Sequence, residues 1–172
     1  SDHYSSFINY TIRLKAILLD NKNFSNNNKL KMTTDYVRAI KNSMPFFFYE
    51  IIESDENFDS KNYFQIKVIK KICNSTSGPV FSGEKACKDR FAIKMFIDNL
   101  DELNVESLDE FIFFLKEQDR IKFNSLPRIS HVHAITYSQT KTNFCLGIME
   151  ELMDHNLGTF MEKFGNSLPL RQ

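Results

Sequence analysis

The stretch Arg90-Phe-Ala-Ile-Lys-Met-Phe96 reads as a strand buried on both faces. Phe91, Ile93, Met95 and Ile97 alternate with Ala92, Lys94 and Phe96, so both sides of the pleat are mostly apolar. A lysine midway along such a strand is costly to bury unless an anion meets it or its ammonium reaches water.

Composition narrows the choices. The chain has 172 residues, 42% hydrophobic and 26% charged, enough for one domain with a real core. Lys+Arg and Asp+Glu are both 22, which argues against nucleic-acid or membrane-surface binding, where a basic excess is expected. No apolar run approaches the roughly eighteen residues of a membrane span. No signal peptide is visible, and a chain that begins at Ser1 without Met reads as a fragment. The three cysteines, Cys73, Cys87 and Cys145, lack metal-ligand spacing and read as reduced thiols of a cytoplasmic protein. Asn9, Asn23 and Asn74 each begin an Asn-x-Ser/Thr triplet, which matters only in a secreted chain.

In chain order, Phe7, Tyr10, Leu14, Ile17 and Leu18 place one apolar face on a helix over residues 4–20. An asparagine-heavy loop over 21–28 follows, and Thr33, Thr34 and Asp35 offer caps for a second helix ended by Pro45. Phe46-Phe-Phe-Tyr-Glu-Ile-Ile52 fits a helix turn or a buried strand, and is assigned to helix. From Tyr63 the period changes to two, giving three antiparallel strands joined by tight loops, the third holding Lys94. Helical period returns at Val105, Leu108, Phe111, Ile112 and Leu115. Residues 131–137 and 143–150 read as two more strands, and Leu157, Phe160, Met161 and Phe164 as a last helix. The expected fold is α+β: a five-stranded antiparallel sheet with one packed helix over 63–152, after a helical N-terminal extension over 1–62 and before a closing segment over 153–172.

This order, with Phe91-Ala92-Ile93-Lys94 in its third strand, resembles the N-terminal lobe of a eukaryotic-type protein kinase over residues 63–172. Ile72, Gly78 and Val80 match the frame of that family's glycine-rich loop, and Cys145-Leu-Gly-Ile-Met149-Glu150-Glu151-Leu152 resembles its fifth strand and hinge. The resemblance implies ATP and Mg²⁺ as cofactors, with Lys94 on the α and β phosphates and Ala92 against the adenine. Met149 would stand at the back of the pocket. The backbone of Glu150 and Leu152 would bond the adenine edge, and Asn156 would contact the ribose. The partner of Lys94 is assigned to Glu117, with Glu110 as second choice. The loop departs from the family pattern, because Cys73 and Ser75 stand at its first two glycine positions and Pro79 follows Gly78.

The implied function is a fragment of a serine/threonine-type protein kinase that transfers the γ-phosphate of ATP to protein hydroxyls, with protein substrates or regulators as partners. No His-Arg-Asp or Asp-Phe-Gly motif occurs before Gln172, so the base and the Mg²⁺ ligands would lie in a further lobe, and the 172-residue fragment alone would be inactive. The alternatives are a pseudokinase or kinase-like scaffold, motivated by the degenerate loop, and a nonenzymatic interaction domain with an unpaired, exposed Lys94. His131 and His133 share a strand face but lack further ligands, and read as surface residues.

Overall fold

The computed structural model describes residues 2–21, 25–124 and 132–152. Two helices open the chain, α1 (Asp2–Asp20) and α2 (Asn26–Ser43). The second helix begins well before the expected Thr33–Asp35 caps, because Ser25 caps it: its Oγ accepts from the Asn28 amide at 3.2 Å. Thr33 instead lies buried inside α2, its hydroxyl turned back to the Leu30 carbonyl.

The expected open, five-stranded antiparallel sheet with one packed helix is overturned. Among the described residues, six strands close into a mixed barrel in the order β1-β2-β3-β4-β6-β5, accompanied by three α-helices. The strand that closes it is β1 (Phe48–Ile52), the stretch assigned to helix from the sequence. Pro45 starts one 3₁₀ turn over Pro45–Phe47, and the chain then extends. Phe48 packs outward under the helices, whereas Tyr49 and Ile51 point into the barrel, so a period of two is present within the run. A run this short and apolar satisfies helix and buried-strand patterns alike. Pairing decides it: β1 lies parallel to both neighbours, with Ile51 opposite Ile66 of β2 (Gln65–Ser75) and Phe48 opposite Ile135 of β5 (Val132–Gln139). A lone edge strand would leave its amides and carbonyls unpaired, and insertion between two edges removes both.

The other strands follow antiparallel pairings: β2 with β3 (Gly78–Lys85), β3 with β4 (Arg90–Ile97), β4 with β6 (Phe144–Glu151), and β6 with β5. The run 53–62 connects two strands that lie side by side. Inside the barrel pack Ile66, Phe91, Ile93, Met95, Ala134 and Met149, together with Tyr49 and Ile51. Outside, α1, α2 and α3 (Val105–Asn124) cover β5, β6 and part of β4 in one continuous apolar cluster. Phe7 is fully buried at its centre, with its ring edge-on to Tyr36, Phe47, Phe48 and Phe111. The N-terminal helices thus share their core with the barrel.

Candidate functional site

Strand β4 sends alternate side chains to opposite sides of the barrel wall, and this sorts the candidate residues. Ile93 and Met95 point inward, while Ala92, Lys94 and Phe96 point outward. Residues opposite one another in an antiparallel pair share a face. Lys94 lies opposite Val80 on β3 and Ile148 on β6, and Ala92 lies opposite Ser82 and Glu150. Val80, Ala92 and Cys73 form a small buried cluster outside the barrel, with Ile72 and Leu152 packed against it. This patch is separate from both the barrel interior and the core beneath the helices. Burial pushes the Cys73 thiol above its ordinary range, against the opposing fields of Lys71 and Lys94.

Lys94 is half-buried at the border between this patch and the helical layer. Its ammonium lies 5.7 Å from the ring centroid of Phe96 and the same distance from that of Phe114 on α3. Cation–π contacts of this kind contribute about 0.5–2 kcal/mol, rising with desolvation. Neither proposed carboxylate partner is turned to Lys94: Glu117 accepts from Arg120 at 2.6 Å, and Glu110 is exposed. The reason is helical phase. Leu108, Phe111, Leu115 and Gln118 are the buried stripe of α3, and Glu117 stands about 100° from Gln118 around the axis.

The hairpin between β2 and β3 is tight. Ser75 pairs with Gly78 across a turn at 76–77, and the Ser75 hydroxyl donates to the Gly78 carbonyl at 2.8 Å. Gly78 has φ +146°, and a Cβ there would collide with the Met95 carbonyl oxygen. This glycine is required by close approach to β4. Pro79 opposes Asn74 and has no amide to offer a ligand.

Met149 lies opposite Ile93 and points into the barrel, so Ile148 is the β6 residue on the outer face beside Lys94. Glu150 is buried on that outer face. Its field joins that of Asp119 at the Tyr4 hydroxyl, where burial is the larger cause of a pKa raised to about 12. The structure thus brings Ile72, Val80, Ala92, Lys94 and Leu152 together on one outer face. Asn156 and His131 lie outside the described residues. His133 is exposed and stacks on Phe91, with ring centroids 4.6 Å apart. Burial and then the neighbouring Lys85 lower its pKa. Among the described residues, no group of three or more His, Cys, Asp or Glu side chains is placed to hold a metal ion, and no helix is long and apolar enough to cross a membrane.

Sequence reasoning missed Phe114, Gln118 and Ile148. Gln118 could have been found by extending the 3.6-residue stripe of α3 past Leu115, and Phe114 by following the same helix one turn on from Phe111. Ile148 could not, because its face depends on the β4–β6 register. No protein-family model matches this chain, and no curated protein matches it.

Proposed function

We propose that the chain is the nucleotide-binding part of a serine/threonine-type protein kinase, using ATP with Mg²⁺ and acting on protein hydroxyls in the cytoplasm. The observation that carries this reading is the outer-face patch of Ile72, Cys73, Val80, Ala92 and Leu152 set directly beside Lys94. Apolar side chains of this kind suit the faces of a purine, and an ammonium at the rim of the cluster suits the phosphates attached to it. Lys94 rests on two aromatic rings, a hold weaker than a charge-assisted bond to phosphate, so a nucleotide can draw it away. Lys94 would orient the phosphates, and Val80, Ala92 and Leu152 would exclude water around the base. Mg²⁺ would neutralise phosphate charge, and the described residues supply no ligand cluster for it. The free thiols Cys73, Cys87 and Cys145 suit a reducing compartment.

A second reading is favoured by the Glu117–Arg120 pair: a kinase-like protein that binds partners without transferring phosphate. The test is calorimetric titration of the protein with MgATP, repeated with Lys94→Met. Loss of the lysine should weaken binding about tenfold or more, as expected for one charge-assisted contact of ~1.5–3 kcal/mol. Equal affinity of the two proteins would remove Lys94 from the site. Binding without phosphoryl transfer by the full-length protein would select the second reading.

A further inference from the structure

Gln118 is 8% exposed on the barrel-facing stripe of α3, and its Oε1 has no hydrogen-bond partner among the described residues. A buried acceptor left orphaned is costly, and native structures rarely tolerate one without a reason. Its position relative to Lys94 follows from three contacts. Phe96 meets Phe111 at 5.2 Å and Phe114 at 5.1 Å between centroids, which fixes that turn of α3 over Phe96. Phe114, about one turn beyond Phe111, also meets the Lys94 ammonium, 5.7 Å from its ring centroid, while Phe111 meets Phe96. The helix therefore runs antiparallel along β4, from Phe96 toward Ala92. Lys94 lies about 6.7 Å from Phe96 along the strand, and Gln118 lies about 6 Å from Phe114 along the helix. These matched steps carry Gln118 over the Lys94–Ile148 pair.

We infer that Gln118 is the α3 residue that receives the Lys94 ammonium when it leaves the Phe96–Phe114 ring pair. The ammonium has three N–H donors and no acceptor, and Oε1 is an acceptor in want of a donor. For nucleotide binding this inference rests on the reading above, and it adds a consequence. A carboxylate partner would cancel much of the lysine's charge, whereas a carboxamide positions the side chain and leaves the full charge for the phosphates. Gln118 is thus a positioning residue, in the place where Glu117 was expected to act.

The experiment places Gln118→Glu in the wild-type protein and in Lys94→Met, and measures chemical unfolding of all four proteins, alongside a MgADP titration of the wild type. With Lys94 present, the new carboxylate has a cation within reach, and the unfolding constant should change by no more than about threefold. In Lys94→Met the same carboxylate is buried without one, and folding should weaken by about a hundredfold or more, up to failure to fold. A Gln118 that serves only as packing would give the same effect in both backgrounds. That result, or a Gln118→Glu protein that fails to fold with Lys94 intact, overturns the inference. Coupling without MgADP binding would remove the nucleotide reading and leave the Lys94–Gln118 pair standing. MgADP binding without coupling would remove the pair alone.

Discussion

Replacing Phe7 by alanine tests whether the first helix is an appendage or part of the barrel's own core. Phe7 is 0% exposed, with ring neighbours at 5.5 Å (Phe48), 6.2 Å (Tyr36 and Phe111) and 6.5 Å (Phe47). These neighbours belong to α2, to the 3₁₀ turn, to β1 and to α3, so the side chain ties four elements together. Truncating a buried phenylalanine costs about 3–5 kcal/mol, transfer and cavity terms together. With a urea m-value of about 2 kcal/mol per molar, the midpoint should fall by about 1.5–2.5 M. The assay is urea unfolding followed by far-ultraviolet circular dichroism, with hydrogen exchange of the β3 and β4 amides read in parallel. Helical signal and strand protection should be lost together, because Phe48 carries the damage into the strand that closes the barrel. Loss of helix at low urea while β3 and β4 keep their protection would refute the shared core.

Two further outcomes follow from the same geometry. Gly78→Ala should destabilise by about 2 kcal/mol or more, since φ +146° and the Met95 carbonyl both exclude a side chain; a thermal midpoint within a degree of wild type would contradict this. His133 has a folded pKa below its unfolded value, through burial and then Lys85, opposed by Glu151 and Asp89. The unfolded chain therefore binds the proton first, so stability should fall as pH drops through about 6.5, and His133→Gln should flatten that slope; an unchanged slope would remove His133 as its source.

The strands around Lys94 were legible because alternation survives in them: Phe91, Ile93 and Met95 against Ala92, Lys94 and Phe96 appears in the chain as it appears in the barrel wall. Ile72, Val80, Ala92 and Leu152, expected at a nucleotide site from the family resemblance, lie together with Cys73 in one apolar cluster. The facing of Met149 was not legible, because one residue of register moves a side chain through the wall. The Glu117 choice went astray at a similar step. The phase of the Leu108–Phe111–Leu115 stripe buries Gln118 and turns Glu117 aside.

Local pattern, then, determined the helix and strand characters of most segments. These depend on periodicity and composition, which neighbours in sequence already carry. Closure of the sheet was decided only in three dimensions. Phe48–Ile52 satisfies either period, and it becomes a strand because β2 and β5 each present an open edge to it. The partner of Lys94 was decided there as well, since the contact depends on how α3 is rotated over β4, and that rotation is set by Phe96 packing against Phe111 and Phe114.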